Sequence, residues 1–370
     1  MVKPIRLGTR KSKLAIIQAI KVRQALENAG LQCVLIPISS HGDRSLGGDL
    51  SAKVGQFVDG IDRLLISGEA DITVHSAKDV PVDSKSGIRA LAYLARGATS
   101  DFVLSKEMNG WKKLSKVLQN KSSKPLMDVL EDLPMKSKVG TVSGRRQSFL
   151  LSSRPDIIPI SVRGHIETRL DGLLDGRVSF LILAEIGLKR LYESNEISKR
   201  HLGLNATRIR EEDWPTAPGQ GAIAVHCRDE DSSLTEKIRT ILNHEPTFDE
   251  VERERSILKK LGGGCLYPAG VLSMGSKITT AVSPSDWRSK YARGETFEIA
   301  RYKGDFESFI FENKSQDKVS ENIDRNKPTL ITTLTSDRIS TQLRKKGIPT
   351  IDKPVVKLSP LAEAWPRDFL

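Results

Sequence analysis

The sequence predicts an α/β fold, because short apolar strands alternate with amphipathic helices along most of the chain. Residues 2–7 form the first such strand, and a helix with apolar residues at helical spacing follows it. The next strand, residues 33–38, and the apolar run 178–184 continue the pattern. At 370 residues, the chain is long enough for two or three domains with their own cores.

The first helix begins just after a strand that ends in polar residues. Ser12 is predicted to cap the helix N-terminus and Gly30 to end it. Backbone N–H groups gather where a strand leads into a helix, and anions bind there. Arg10 and Ser12 are therefore candidates for binding an anion, and a solvated arginine with an ordinary cap is the alternative.

Another predicted strand, beginning near Ala70, ends at residues whose side chains suit binding or catalysis. It leads into Ser76, Lys78 and Asp79. A hydroxyl, a cation and a carboxylate at the carboxyl end of a strand are typical of the mouth of an α/β ligand site. The alternative is a salt-bridged loop pair, but a carboxylate held beside a cation is also a group whose ionisation a site can set.

Residues 137–169 are rich in arginine at predicted strand-to-helix turns. The basic and hydroxyl residues of interest are Arg145, Arg146, Arg163, Arg169, Thr141 and Ser143. Arginine side chains in such turns are suited to a bidentate grip on carboxylates or phosphates. Their number predicts a ligand with several carboxylates.

A glycine-rich loop presents a single thiol. Residues 262–264 are all glycine, Cys265 follows, and Pro268 stiffens the exit. This cysteine is a candidate nucleophile, redox thiol or covalent anchor, and the alternative is a small buried residue in a turn. Cys33 and Cys227 lie in apolar runs and are predicted to be core, so the three cysteines predict neither a zinc site nor a disulfide framework.

The remaining elements are predicted from apolar pattern and turn residues. Helices are expected at about 57–65 and 248–261, strands at 222–227, 278–282 and 296–301, a surface loop at 42–54, a crossing between domains at 214–221, and a linker at 311–326.

The net charge of +12 predicts an anionic partner, either nucleic acid or a small ligand with carboxylate or phosphate groups. The four Trp and five Tyr are not interleaved with basic residues as in base-stacking proteins, which disfavours nucleic acid. No run approaches the roughly 18 apolar residues of a membrane span, and the N-terminus lacks a signal-peptide pattern. We therefore expect a cytoplasmic protein without a membrane partner.

Six motifs in a fixed order resemble those of the porphobilinogen deaminases, also called hydroxymethylbilane synthases. They are Arg10-Lys11-Ser12, His75-Ser76-Ala77-Lys78-Asp79-Val80-Pro81, Val139 to Gln147, Val162-Arg163-Gly164 to Leu170, Gly219-Gln220-Gly221-Ala222 and Gly263-Gly264-Cys265. The resemblance covers about residues 2–310. It implies three α/β domains, two of them similar to the lobes of periplasmic binding proteins and joined by a two-strand hinge.

The domain boundaries implied by this resemblance are 1–97 with 214–240 for domain 1, 98–213 for domain 2, and 241–310 for a smaller α+β domain 3 that carries the cysteine. A linker would occupy residues 311–327. Residues 328–370 would form a strand-helix-strand tail.

The resemblance also implies the activity: a transferase of haem biosynthesis that condenses four porphobilinogen molecules head to tail, releases ammonia and yields linear hydroxymethylbilane. Porphobilinogen is an aminomethyl pyrrole with acetate and propionate arms. Loss of its amine gives a cationic azafulvene, which the free α-carbon of the growing chain attacks. A dipyrromethane cofactor, attached through a thioether to Cys265, is implied as well.

The motif positions carry the implied roles. Asp79, with Lys78, would be catalytic, because a fixed carboxylate accepts from pyrrole N–H groups and opposes positive charge. The cofactor would be bound by Cys265, Arg145, Arg146, Ser76, Lys78, Thr141, Ser143 and Asp79. The substrate would be bound by Arg10, Ser12, Arg163, Arg169 and Gln220. We expect no metal, and a monomer.

Two positions depart from the family pattern. The run 52–57 is compressed, so the active-site lid would be shorter and one loop lysine has no counterpart. His165 stands where the family usually has asparagine. Neither departure removes a residue assigned to the chemistry.

The tail, with strands at 328–334 and 348–351 around a helix at 335–346, weakly resembles the opening βαβ unit of uroporphyrinogen-III synthase. That enzyme acts on the product, and it is a possible partner. A remnant, a truncated fusion and a docking module all stay open.

Two other functions compete with the transferase. A non-catalytic anion-binding protein would explain the strand-end arginines but gives no reason for Cys265 or Asp79. A nucleic-acid-binding protein would bind with steep salt dependence and would tolerate the loss of both residues.

Overall fold

The computed structural model describes residues 3–39, 58–83, 86–229, 233–262, 267–309, 330–334 and 350–356. The chain divides into two compact units, one comprising residues 1–46 and 53–309 and the other residues 47–52 and 310–370. Three sheets lie in the first unit and a pair of strands in the second. Within the described ranges, no helix combines the length and apolar character that crossing a bilayer requires.

Strands and helices are numbered here in chain order over the described residues. The strands are β1 (Ile5–Arg10), β2 (Cys33–Ile38), β3 (Ile72–Ser76), β4 (Ile88–Tyr93), β5 (Asp101–Ser105), β6 (Lys112–Lys113), β7 (Lys138–Gly140), β8 (Ile158–Ile160), β9 (Phe180–Ala184), β10 (Asn205–Arg208), β11 (Ile223–Arg228), β12 (Ala269–Met274), β13 (Lys277–Val282), β14 (Ala300–Asp305), β15 (Leu330–Leu334) and β16 (Thr350–Val356). The helices are α1 (Lys13–Asn28), α2 (Asp59–Ile66), α3 (Leu114–Val117), α4 (Leu126–Glu131), α5 (Gly144–Ser153), α6 (Ile166–Leu174), α7 (Glu185–Glu193), α8 (Lys199–Leu202), α9 (Ser233–Leu242), α10 (Glu245–Lys260) and α11 (Trp287–Ala292).

The first sheet has the strand order β2-β1-β3-β11-β4. Its first three strands are parallel, and β11 is antiparallel to both of its neighbours. Successive residues of β11 face opposite sides: Val225 lies in the cluster formed with α1 and α9, whereas Ala224 lies in the cluster that contains Val251 of α10. The sheet is therefore covered by helices on both faces.

The second sheet has the order β6-β10-β5-β9-β7-β8, with parallel pairing only among β9, β7 and β8. All of β9 is buried. Leu181 packs with Leu170 of α6 on one side, and Ile182 packs with Phe149 of α5 on the other. This strand is continuously apolar because both of its faces are covered.

The third sheet is the antiparallel meander β12-β13-β14. Ile257 of α10 packs against Val271 and Ile278 of this sheet. Ala281 of β13 joins the apolar cluster of the second sheet, and the Ser283 hydroxyl donates a hydrogen bond to Ser148 Oγ at 2.7 Å. The third sheet thus packs against the second.

Two segments connect the first and second sheets: residues 94–100 lead into β5, and residues 209–222 lead back into β11. We call residues 214–221 the crossing segment. Gly97 N donates to the Gly221 carbonyl at 3.1 Å, and Gly221 has a φ of 95°. A Cβ atom at Gly221 would approach the Gly97 carbonyl to 2.7 Å, so only glycine fits where the two segments meet.

The third sheet also contacts the crossing segment. Val271 N of β12 donates to the Thr216 carbonyl at 2.9 Å. A Cβ atom at Gly270 would lie 2.0 Å from the Pro215 carbonyl oxygen. All three sheets therefore meet at this one short stretch of chain.

Asp101, the first residue of β5, is fully buried at this meeting point. Its carboxylate accepts hydrogen bonds from Arg145 Nη2 at 2.6 Å, from Arg146 Nε and Nη2 at 2.9 and 2.7 Å, from Trp214 Nε1 at 2.9 Å and from Gln220 Nε2 at 3.0 Å. Burial alone would raise the pKa of Asp101, but Arg146 and Arg145 hold that pKa well below its usual range. One carboxylate therefore joins β5, α5 and the crossing segment.

A second buried carboxylate, Glu254 of α10, lies on the other side of the crossing segment. It accepts from Arg96 Nη1 and Nη2 at 2.8 and 3.0 Å, from Gly219 N at 2.7 Å and from Ser273 N at 2.8 Å. Burial raises the pKa of Glu254 and outweighs the opposing effect of Arg96 and the backbone donors. Glu254 thereby connects α10, the crossing segment and β12.

In the second unit, β15 and β16 run parallel, with Leu330 opposite Thr350. Parallel neighbours need a crossover connection, which agrees with the predicted strand-helix-strand order. The predicted helix at 335–346 lies outside the described residues, as do the surface loop at 42–54 and the linker at 311–326.

The structure confirms the α/β prediction and corrects three details. β1 extends to Arg10, so residues 8–10 are strand rather than turn, because β1 pairs with β2 along its whole length. β14 lies at Ala300–Asp305 instead of 296–301, opposite the whole of β13. Cys33 is half-buried because β2 is an edge strand, whereas Cys227 is buried as predicted. The predicted domain boundaries and the likeness to binding-protein lobes stay predictions.

Removing the Asp101 carboxylate should destabilise the protein strongly. We predict that Asp101→Ala lowers the free energy of unfolding by about 3–5 kcal/mol, because two buried guanidinium groups lose their counter-ion. Denaturant unfolding measures the loss. Asp305→Ala, which removes one exposed pair with Lys277, is the matched control and should cost about 1 kcal/mol or less. Equal losses in the two variants would contradict the role of Asp101.

Candidate active site

The predicted site residues nearest the N-terminus lie at the carboxyl edge of the first sheet. β1 and β3 are parallel neighbours, so their carboxyl ends, Arg10 and Ser76, lie at the same edge. A cavity of about 70 Å³ opens there. Its polar lining is Arg10, Ser12, Gln18, His75, Ser76 and Asp79. The structure therefore brings Arg10, Ser12, Ser76 and Asp79 together around one cavity.

Lys78 and Asp79 lie in a short 3₁₀ turn, Ala77–Asp79, directly after β3. Ala77 N donates to the Ala222 carbonyl at 3.1 Å, and Val80 N closes the turn on the Ala77 carbonyl at 3.2 Å. A Cβ atom at Gly219, whose φ is 74°, would lie 3.0 Å from the Ala77 carbonyl carbon. The crossing segment thus packs directly against the turn that holds the two predicted catalytic residues.

Gln18, which sequence reasoning missed, contacts Ser76. Gln18 is 2% exposed on α1; its Nε2 donates to Ser76 Oγ at 2.9 Å, and its Oε1 lies 3.2 Å from the same hydroxyl. A polar residue among the apolar positions of the predicted helix face was the available signal. Ser12 caps α1 as predicted, because its Oγ accepts from Ala15 N at 3.4 Å.

Electrostatic interactions connect this turn to the arginine-rich segment. Burial, with smaller contributions from Arg146 and Arg145, lowers the pKa of Lys78 to about 8 against the opposing effect of Asp79 and Asp101. Burial also lowers the pKa of Arg169 to about 10, where Arg146 acts in the same direction and Asp79 opposes. Residues far apart in sequence are therefore close enough to set one another's ionisation.

Arg145 and Arg146 are placed differently from the sequence expectation. They lie in the first turn of α5 rather than in the turn before it, because Ser143 caps the helix by accepting from Arg146 N at 3.4 Å. Both side chains are buried against Asp101. The Arg145 Nε atom is nevertheless buried without a hydrogen-bond acceptor. These arginines thus place two buried guanidinium groups beside Asp101, rather than exposed side chains on a loop.

The remaining predicted residues surround the same region. Thr141 is buried after β7, and its Oγ1 accepts from Ser143 N at 3.3 Å. Arg163 lies between β8 and α6, and Arg169 Nε donates to the Gly164 carbonyl at 2.9 Å. Gln220 is 1% exposed and donates to Asp101 and to the Ser100 carbonyl at 3.2 Å, so its amide is held inside the crossing segment.

A further buried cation, Arg190 of α7, was also missed. Its Nη2 donates to the Gly221 carbonyl at 2.8 Å, and burial lowers its pKa to about 10 against the opposing charge of Glu193. Periodicity contains no signal for its burial, since an arginine on an amphipathic helix usually faces solvent.

The cysteine loop and the compressed run lie outside the described residues, whereas His165 lies within them. Cys265 and residues 263–266 are outside the described residues; α10 ends at Lys260 before them and β12 begins at Ala269 after them. The compressed run 52–57 is likewise outside. His165 stands at the N-cap position of α6 and makes no side-chain capping bond.

One group in the described part of the chain has metal-ligand chemistry: Asp62, His75 and His226, all buried, with ligand atoms within 4.8 Å of one another. Their own contacts account for the cluster. Asp62 Oδ1 lies 2.8 Å from His75 Nε2 and accepts from Thr73 Oγ1 at 2.9 Å, and its Oδ2 lies 3.4 Å from His226 Nδ1. The cluster fixes α2 against β3 and β11 behind the cavity.

Comparison with known proteins identifies the family to which the chain belongs. Residues 5–236 match the family model of the porphobilinogen deaminase dipyrromethane cofactor-binding domain. Porphobilinogen deaminases of Xanthomonas oryzae pv. oryzae (strain PXO99A) and Xanthomonas euvesicatoria pv. vesicatoria (strain 85-10) are each 34% identical over 273 residues, which cover 73% of this chain and 81% of the relative.

The similar solved structures are far more distant. A substrate-binding domain of a putative amino acid ABC transporter from Streptococcus pneumoniae aligns at a TM-score of 0.37 and 13% identity over 70% of this chain and 95% of its own. An ancestral arginine-binding protein aligns at 0.34 and 18% over 71% of this chain and 100% of its own. At these scores neither likeness supports an argument about fold or ligand.

Lys78 should titrate near neutrality. We predict that its amine loses its proton with a midpoint at about pH 8, because burial disfavours the charged form. Above that pH the site therefore holds one positive charge fewer. Titration of ¹³C-methylated lysines by NMR, with Lys78→Arg identifying the signal, measures the midpoint. A midpoint above pH 10 would show that Lys78 is solvated.

Proposed function

The chain belongs to the porphobilinogen deaminase family and polymerises porphobilinogen to hydroxymethylbilane in tetrapyrrole biosynthesis, and we propose that the chemistry takes place around Asp79. Its cofactor is dipyrromethane. The observation that carries the proposal is the placement of the Asp79 carboxylate at a strand end, near the half-buried cations Lys78 and Arg169. Membership of this enzyme family excludes a purely non-catalytic anion-binding role.

The charges around Asp79 suit a ligand with several carboxylates. Burial lowers the pKa values of Lys78, Arg145 and Arg169, and Arg146 acts in the same direction on all three. The acidic residues that oppose these shifts are Asp79 and Asp101. Two of these arginines already share Asp101, yet Arg145 Nε still lacks an acceptor. The acetate and propionate groups of dipyrromethane and porphobilinogen would supply the missing negative charge.

Asp79 is the residue we assign to proton transfer. Its carboxylate borders the cavity and can accept hydrogen bonds from pyrrole N–H groups. It can also stabilise the positive charge that develops when porphobilinogen loses ammonia, because a fixed carboxylate opposes a cation without having to reorganise. Neighbouring Lys78 would bind a carboxylate arm of the substrate or cofactor.

In this proposal the carboxylate-binding residues are divided between substrate and cofactor as the family motifs imply. Arg10, Ser12, Arg163, Arg169 and Gln220 are assigned to the substrate. Thr141, Ser143, Arg145, Arg146 and Ser76 are assigned to the cofactor. Gln18 would hold the Ser76 hydroxyl in place. Gln220, Arg145 and Arg146 already donate hydrogen bonds to Asp101. Carboxylates bound by these three residues would therefore extend an existing hydrogen-bond network.

The cofactor would be attached through Cys265. The other two thiols are unsuitable: Cys227 is 1% exposed, and burial raises the pKa of Cys33 to about 11, which keeps that thiol protonated. When bound, the cofactor supplies the free α-position to which substrate units are joined. Monomeric state, cytoplasmic location and contact with uroporphyrinogen-III synthase remain predictions.

The covalent cofactor should be visible in the mass of the intact protein. We expect wild-type protein to exceed its sequence mass by two linked porphobilinogen-derived units, and Cys265→Ser to show no excess. Cys33→Ser, which should retain the excess, is the control for loss of a thiol. A bare wild-type mass that stays bare after incubation with porphobilinogen would refute the attachment.

Replacing Asp79 should abolish turnover while leaving the fold intact. We predict that Asp79→Asn lowers kcat by about 10²–10⁴-fold, the usual contribution of a positioned acid or base. Asp83→Asn, four residues further on and paired with the exposed Lys259, should leave kcat within about twofold. Product formation followed by absorbance after oxidation measures both, and similar rates in the two variants would remove Asp79 from the mechanism.

A further inference from the structure

Arg255 of α10 binds the segment that directly follows Asp79. Its Nη2 donates to the Pro81 carbonyl at 2.7 Å and to the Val82 carbonyl at 3.3 Å, and its Nη1 donates to the Val80 carbonyl at 3.3 Å. Three consecutive carbonyls thus converge on one guanidinium group. A planar fork of N–H donors can hold such an arrangement, whereas a lysine ammonium group presents a single point of charge.

The Arg255 guanidinium group also lies near Glu252, an acidic residue of its own helix. The Arg255 side chain is 12% exposed, and its Nε lies 3.8 Å from Glu252 Oε1. The same Glu252 oxygen accepts from the buried Tyr93 hydroxyl of β4 at 2.9 Å. The position of Arg255 is therefore fixed by the first sheet as well as by its own helix.

The helix that carries Arg255 leads straight into the cysteine loop. α10 ends at Lys260, five residues after Arg255 and five before Cys265. A helix transmits position rigidly, at about 1.5 Å per residue. Glu254, the preceding residue, binds the crossing segment and β12. Adjacent side chains of one helix therefore contact the crossing segment and the segment that follows Asp79.

We propose that Arg255 is a positioning residue that holds the backbone following Asp79 and thereby sets the position of the Asp79 carboxylate. This inference rests on the proposed roles of Asp79 and Cys265. Arg255 does not reach the reacting atoms; it acts through the backbone of residues 80–82. Its importance follows from geometry, since a displacement of about 1 Å at a reacting group can cost about 10²-fold in rate.

The test compares Arg255→Ala, Arg255→Lys and Arg253→Ala in the full-length holoenzyme. Arg253 lies on the same helix, and its guanidinium group contacts the Gly275 carbonyl, the Phe306 ring and Asp249. We expect Arg255→Ala to lower kcat by about tenfold to 10²-fold, with KM for porphobilinogen within about twofold. Arg255→Lys should recover part of the loss, and Arg253→Ala should stay within about twofold of wild type.

Hydrogen exchange separates positioning from general stability. In Arg255→Ala, amide exchange should rise in residues 77–83 and remain at wild-type rates in the β5 and β9 strands. Faster exchange at residues 77–83 with an unchanged kcat would overturn the proposal. So would faster exchange throughout the first unit, which would mean that Arg255 only stabilises the fold. Intact mass is measured in parallel, because a bare wild-type mass would contradict the cofactor site rather than the Arg255 contact.

Discussion

The buried Asp101 carboxylate is the interaction on which the rest of the structure depends. It receives hydrogen bonds from two helical arginines, an indole and an amide, and these groups come from two separate parts of the chain, α5 and the crossing segment. Their convergence fixes the crossing segment, which in turn packs Gly219 against the turn that holds Lys78 and Asp79. The position of the Asp79 carboxylate is thereby fixed through the crossing segment.

The same arrangement leaves the region around Asp79 short of negative charge. Burying cations without enough counter-ions is costly, and the lowered pKa values of Lys78 and Arg169 are the sign of that cost. A ligand that brings carboxylates relieves it. An enzyme whose substrate and cofactor both carry acetate and propionate arms can thus use electrostatic strain in the free protein as a source of selectivity for acidic pyrroles.

The sequence predicted local features better than long-range ones. Strand ends with polar residues led to Arg10, Ser76 and Asp79, and the Ser12 cap follows from residue type alone. Asp101 was missed because an acidic residue before an apolar strand looks like an ordinary strand start, and its arginine partners lie more than 40 residues away. The start of α10 was placed late because His244, an unusual cap, accepts from Thr247 N. Such pairings depend on tertiary contacts that periodicity does not contain.

The strand order of the first sheet has a consequence for the way the chain folds. β11 lies between β3 and β4, and β4 has no other partner in that sheet. Residues 88–93 must therefore wait for residues 223–228 before they can pair, while every strand of the second sheet is synthesised between these two segments. During translation the second sheet can close from local pairings while the first remains open. Completion of the first sheet is the slow, high-contact-order step, and it assembles the site around Asp79 last.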